Sequence, residues 1–366
     1  MLTNKALQSL WQAGVDAVGG ARAVETALAA HSPPRPDRIL AVGKAASAMA
    51  QAAVARWPDV PCLIVTKYGH GNDAPAGAKV IEAAHPVPDA ASLAAGLALQ
   101  NNVRACRPDE HLLMLISGGA SALAEVPVNG RSLDDLKTDT QELLASGADI
   151  GIINAQRTSL SQIKGGKLLA GFSGRRVTTL ALSDVEGDAL ATIGSGIGDA
   201  PVSPSFDFTA HIVGSNAIAR AAVAHASDVP VRTNAETLYA DVTALGPQII
   251  MALRAAAPGL YILGGEPVVQ LPAAPGKGGR NMALALILAR EIAGDPTLRI
   301  LVAGTDGSDG PTDAAGAIVD GATWRSDGQA ALDSANAYPW LEACGALIKT
   351  GPTGTNVMDL LIAVKG

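Results

Sequence analysis

Four aspartates, Asp306, Asp309, Asp313 and Asp320, stand among glycines within residues 304–321. The apolar run 300–303 comes just before them. The pattern predicts a buried strand that empties into one acidic, glycine-rich loop. Carboxylates in such a loop can hold Mg²⁺ or orient hydroxyls, and glycines let the backbone approach a ligand closely. The same composition also suits a solvated turn. Asp306 and Asp309 lie nearest the strand end and are the metal candidates; Asp313 and Asp320 fit caps or turns.

Other polar residues follow apolar runs in the same way. Lys44 follows residues 38–42 at the start of a small-residue helix, where free N–H groups and the helix dipole favour an anion. After residues 111–116 come Ser117, Gly118, Gly119 and Ser121. Adjacent glycines there can form a nest of N–H groups for phosphate oxygens, or an ordinary tight turn. Asp184, after residues 177–182, suits a metal ligand, a proton acceptor or a helix N-cap. Lys164 precedes Gly165 and Gly166 in a helical pattern, where two glycines are costly; it is a phosphate contact or a surface lysine. Arg280 and Asn281 open an apolar helix after a glycine-rich stretch, and an arginine so placed can grip a carboxylate or phosphate with both arms. Glu266, after Gly264 and Gly265, is a further carboxylate or an ion-pair partner, and His85 lines a pocket or makes a turn.

The elements that must position these residues alternate. Strands are expected at 38–42, 62–66, 79–83, 111–116 and 177–182, with helices at 90–106, 132–146 and 150–169 between them. That rhythm predicts a mostly parallel, doubly wound sheet. Residues 194–204 are rich in Gly, Ser and Pro and read as a surface or inter-domain connection. A second set follows: strands at 211–214, 260–263, 300–303 and 346–349, and helices at 216–226, 247–256 and 281–292, with Pro247 in a first turn. The fold class is therefore α/β in two domains. An N-terminal Rossmann-like domain covers 1–205, and a C-terminal α/β domain with a mixed sheet covers 206–366.

Bulk properties agree. At 366 residues the chain exceeds the usual size of a single core. Hydrophobic residues make up 48% and charged residues 17%, which argues against disorder. A net charge of −7 with no Lys/Arg-rich run argues against a nucleic-acid partner. Cys62, Cys106 and Cys344 match no metal-ligand spacing and suit reduced thiols in a cytoplasm. No apolar run approaches the roughly 18 residues of a membrane span. Walker A, Gly-x-Gly-x-x-Gly and Gly-x-Ser-x-Gly patterns are missing from the positions where their chemistry would need them.

Taken in order, Val42-Gly-Lys-Ala-Ala46, Tyr68-Gly-His70, His85-Pro-Val-Pro-Asp89, Ser117-Gly-Gly119, Ile163-Lys-Gly-Gly166, Leu182-Ser-Asp-Val185, Gly264-Gly-Glu266, Gly279-Arg-Asn281, Gly304-Thr-Asp-Gly307 and Gly351-Pro-Thr-Gly-Thr-Asn356 resemble the glycerate 2-kinases. These carry a C-terminal domain called MOFRL and were often labelled hydroxypyruvate reductases. The resemblance runs from about residue 5 to 366. It implies ATP-dependent phosphorylation of the 2-hydroxyl of D-glycerate to 2-phospho-D-glycerate, with Mg²⁺. The family's lysine and arginine map to Lys44 and Arg280.

On this reading Lys44, Arg280 and Asp184 are catalytic. Ser117, Gly118, Gly119, Ser121 and Lys164 hold phosphate or nucleotide. His85, Glu266 and Asn281 bind substrate, and Asp184, Asp306 and Asp309 bind metal. The chain departs from the family pattern at Ala120, at Met282 and Ala283, and at Thr158 and Ser159. Alternatives are a kinase for another 2-hydroxy or sugar acid, an NAD(P)H-dependent hydroxypyruvate reductase, and a non-catalytic sugar-acid-binding protein. A homodimer stays open as the assembly.

Overall fold

The structure, a computed structural model, describes residues 2–146 and 150–366. Two compact units emerge. One comprises Val18–Ser215 with Gly354–Asn356; the other comprises Met1–Ala17, Asn216–Thr353 and Val357–Gly366.

The first unit holds a six-stranded, wholly parallel sheet. Its strands are β1 Arg38–Val42, β2 Cys62–Lys67, β3 Lys79–Ala83, β4 His111–Ile116, β5 Arg176–Leu182 and β6 Asp207–Gly214, in the order β3-β2-β1-β4-β5-β6. Both faces are covered, which is why β1 and β4 are continuous apolar runs rather than alternating ones. The order reverses between β1 and β4, the place where open α/β sheets bind ligands at the strands' carboxyl ends. Residues 207–214, expected to open the second domain, are instead the sixth strand of this sheet, paired with β5.

The second unit holds a six-stranded mixed sheet. Its strands are β7 Val231–Leu238, β8 Gly259–Gly265, β9 Leu298–Gly304, β10 Gly316–Asp320, β11 Leu347–Ile348 and β12 Asp359–Lys365, in the order β11-β10-β9-β12-β8-β7. The central β12 runs antiparallel to both neighbours. The N-terminal helix Asn4–Ala17 belongs here: a Cβ on Gly14 would stand 2.8 Å from Val223 and 3.3 Å from Leu360.

Several expectations need correction. The acidic segment 304–321 is not one loop, because residues 316–320 form β10 against β9. The helix expected over 150–169 stops at Ser159. Gly165 and Gly166 lie beyond it with φ of 62° and 78°, left-handed values that no helix contains. Their N–H groups donate to Ser195 O and Gly196 O. Residues 193–197 are accordingly buried rather than a surface link, since their backbone is satisfied from within. Pro247 sits inside helix Val242–Ala255, past its first turn. Among the described residues, no helix is long and apolar enough to cross a membrane.

Candidate active site

In the first unit, the turns after β1 and β4 clasp each other. Lys44 N–H donates to Gly118 O at 2.9 Å, and Ala45 N–H donates to the Ser117 hydroxyl at 3.1 Å. Ser117 N–H returns to Val42 O at 2.9 Å. Ser117 is fully buried, so its side chain ties the two turns together. Gly43, at φ 129°, packs directly on Ser117, where any Cβ would collide.

Gly118 is buried and Gly119 partly exposed, and having no side chains lets neighbouring groups close in on the turn. A Cβ on Gly118 would run into the Asp184 carboxylate and the Asn356 amide. Gly119 adopts φ 83°, and a Cβ there would meet His85 Cδ2 at 3.1 Å and Lys44 Cγ at 3.2 Å. Lys44, His85, Asp184 and the Ser117–Gly119 turn therefore come together. Asp184 leaves the end of β5 and accepts a hydrogen bond from Asn356 Nδ2 at 3.1 Å. It caps no helix: the short turn that follows has Val185 as its N-cap. Four residues after His85, Asp89 caps helix Ala90–Arg104 in a reciprocal capping box with Ser92 and accepts from Tyr68 OH at 2.7 Å.

Ser121 Oγ lies 2.9 Å from Ser195 Oγ. Lys164 is buried and paired with Glu125, so it is no surface lysine. Ala120 packs within the core of this unit.

The second unit carries its own polar cluster where β8 and β9 end and β12 begins. Arg280, the first residue of helix Arg280–Glu291, donates from Nε to Asp359 Oδ2 at 2.7 Å and forms an ion pair through Nη1 with Glu266 Oε1 at 2.6 Å. Burial works against the Arg280 charge, but Asp359 and Glu266 outweigh it and raise its pKa above the ordinary range. Asp309 is buried and caps the same helix from the neighbouring loop, accepting from Asn281 N–H at 3.1 Å and Met282 N–H at 2.8 Å. Burial pushes its carboxyl up to about 7; Asp359 adds to the rise, and the two N–H groups and Arg280 oppose it. Asn281 is buried, and its Oδ1 has no hydrogen-bond partner among the described residues.

The remaining aspartates are occupied locally. Asp306 accepts from Ser308 N–H and Oγ, Asp313 from Tyr338 OH, and Asp320 pairs with Arg299. No three His, Cys, Asp or Glu side chains converge among the described residues as a metal site.

Sequence reasoning missed Asn356 and Asp359 as participants. Asn356 ends the Gly-Pro-Thr-Gly-Thr-Asn run already singled out, and Asp359 is the charged residue heading an apolar run.

Comparisons place these clusters in a known setting. Residues 6–225 match a domain of unknown function, DUF4147, and residues 259–359 match the MOFRL family. The chain is 36% identical to a D-glycerate 2-kinase of Thermotoga maritima, over 90% of this chain and 91% of that one. It is 34% identical to a glycerate 2-kinase of Pyrococcus horikoshii, over 89% and 86%. A crystal structure of glycerate kinase from Thermotoga maritima superposes with a TM-score of 0.86 at 32% identity, covering 98% of each chain. With a DUF4147 match, a MOFRL match and these relatives, the chain belongs to the glycerate 2-kinase family.

Proposed function

We propose that this protein transfers the γ-phosphoryl group of ATP to the 2-hydroxyl of D-glycerate, giving 2-phospho-D-glycerate. The observation that carries the reading is the Ser117–Gly119 turn at the strand-order switch, with Lys44, His85 and Asp184 around it and Gly119 partly exposed. Phosphoryl transfer asks a protein chiefly to position phosphates and neutralise their charge. The turn fits phosphate oxygens on both counts: Gly119 carries no side chain and is partly exposed, and Lys44 beside it supplies positive charge.

Asp184 fits the Mg²⁺ that accompanies ATP, since Mg²⁺ in such sites commonly takes one or two carboxylates and completes its shell with water and phosphate. Bound there, the ion would supply charge neutralisation on the phosphate oxygens. A carboxylate so used is a poor base, and the loose transition state demands little early proton removal. His85 borders the turn and would orient the acceptor hydroxyl. Asp309 gives one oxygen to each of two helix N–H groups and Asp306 gives Oδ1 to Ser308, and neither is assigned a metal role here. Arg280 and Asn281, expected to bind substrate, open helix Arg280–Glu291 of the second unit, where Arg280 is held by Glu266 and Asp359.

A nicotinamide-dependent reductase gains nothing from this turn, where Gly43 is followed by Lys44 and Ala45 rather than by a glycine triad.

The test is direct. With ATP, Mg²⁺ and D-glycerate, ³¹P NMR should show 2-phosphoglycerate accumulating as ADP forms, and Lys44→Ala should lower turnover by roughly 10²-fold or more. No phosphorylated product from the wild-type chain, or near-normal turnover in Lys44→Ala, would refute the reading.

A further inference from the structure

We propose that the small cavity around Arg157 in the first unit is a carboxylate-binding subsite, which holds the acid group of the hydroxy-acid substrate. The proposal rests on the kinase reading above and assigns a part of that site. The cavity is lined by Pro86, Ser121, Glu125, Asp139, Arg157 and Lys164, among others, and encloses about 30 Å³. That is room for a small polar group and not for a nucleobase. Pro86 adjoins His85, and Ser121 lies two residues past Gly119, so the cavity opens beside the proposed phosphate turn.

Its charges do not balance. Glu125 is fully engaged: one carboxylate oxygen takes Lys164 Nζ, and the other takes Ser161 Oγ and Val126 N–H. Asp139 is taken by Arg131. Arg157 is left with no hydrogen-bonded partner for its guanidinium among the described residues, although it lies close enough to Glu125 and Lys164 to feel both. Among the described residues, three cations thus meet two carboxylates. A guanidinium held in a half-buried place without a partner is costly, and an incoming carboxylate relieves that cost with two parallel hydrogen bonds. Burial pulls Arg157 below its ordinary range against the attraction of Glu125, and Arg157 in turn works against the charge on Lys164. Both directions agree with a missing anion.

Arg280 is the less suitable holder of the acid group, contrary to the expectation from the sequence. Two carboxylates already neutralise it.

The experiment compares wild type, Arg157→Gln and Arg157→Lys. D-glycerate and its neutral amide, D-glyceramide, serve as acceptors, and calorimetry measures D-glycerate binding without ATP. Losing a charge-assisted pair should raise KM for D-glycerate in Arg157→Gln by about 10- to 100-fold. The KM for ATP should stay unchanged, and the preference for glycerate over glyceramide should collapse. Arg157→Lys keeps the charge but not the fork and should fall between; it also carries the test if Arg157→Gln fails to fold.

Unchanged glycerate KM and unchanged acid-over-amide preference in both variants would overturn the subsite while leaving the kinase reading standing. A raised KM for ATP in place of glycerate would overturn it too, showing that the cavity serves phosphate. Arg157-dependent binding of D-glycerate without any phosphoryl transfer would support the subsite and refute the kinase reading instead.

Discussion

In the parallel sheet the polar cluster lies where strand order reverses, and glycines at 43, 118 and 119 let its turns and side chains close in on one another. In the mixed sheet it lies where β8 and β9 end and β12 begins, and side-chain charge fills it: Arg280 against Glu266 and Asp359, with Asp309 behind them. The first cluster is made of closely packed glycine backbone and tolerates no added volume. The second is built on the pairing of Arg280 with buried Asp359 and with Glu266 and tolerates no subtraction from it. The same position in two sheets has been furnished for opposite purposes. On the kinase reading proposed above, one receives phosphate, while the other holds one arginine and one helix start in a fixed place.

The largest effect should come from adding a methyl group to the first cluster. In Gly118→Ala the new Cβ meets the Asp184 carboxylate and the Asn356 amide, so both must move and the turn is covered. Turnover should fall by roughly 10²- to 10³-fold, as when one preorganised donor is lost. The same substitution at Gly278 in the second unit places its Cβ 3.4 Å from the nearest atom, an ordinary contact, and should leave kcat and Tm near wild type. Equal losses in both variants would erase the contrast.

Removing charge should reverse the ranking. Asp359 is buried, with 2% of its side chain exposed, and Asp359→Ala leaves Arg280 with Glu266 alone. Breaking a buried pair from one side costs about 3–5 kcal/mol. The retained Glu266 and the one-third exposure of Arg280 put this case at the lower end. Urea denaturation measures it. Asp184→Ala in the first unit should cost turnover with little stability; a stability loss as large as that of Asp359→Ala would break the distinction.

This difference also explains what could be read from the sequence. β1, β4 and β5 are uninterrupted apolar runs, so the strand ends carrying Lys44, Ser117 and Asp184 were visible. That these ends are neighbours depends on strand order, which no local pattern encodes. β10 was hidden because its first residues, Gly316 and Ala317, continue the composition of the loop before it. Residues 160–168 read as helix because Leu160, Ile163 and Leu168 keep an apolar spacing, yet two left-handed glycines break it. The glycine-rich segment near 195 read as surface because such residues usually are. Here hydrogen bonds from Gly165 and Gly166 let it be buried. Lys164 and Arg280 were recognised as cations, but their partners Glu125 and Asp359 lie 39 and 79 residues away, respectively. The sequence offers no rule for choosing them.

The smallest expected effect concerns the charge that the second cluster holds least comfortably. Asp309 has its carboxyl pushed up to about 7 in the fold, against an ordinary value near 3.8. The folded state therefore binds more protons than the unfolded chain between these two values. Stability from this group is fully present below about pH 4 and is lost as pH rises through about 7, with a slope of at most about 1.4 kcal/mol per unit. Asn at this position resembles the protonated acid, keeps an oxygen for one of the two helix N–H groups, and does not titrate. Thermal unfolding of wild type and Asp309→Asn should be compared from pH 5 to pH 8. The gap in Tm should move steadily in favour of the variant as pH rises, whatever its starting sign at pH 5. Parallel profiles would show that Asp309 is an ordinary ionised N-cap, and that the second cluster carries its three carboxylates at no electrostatic cost.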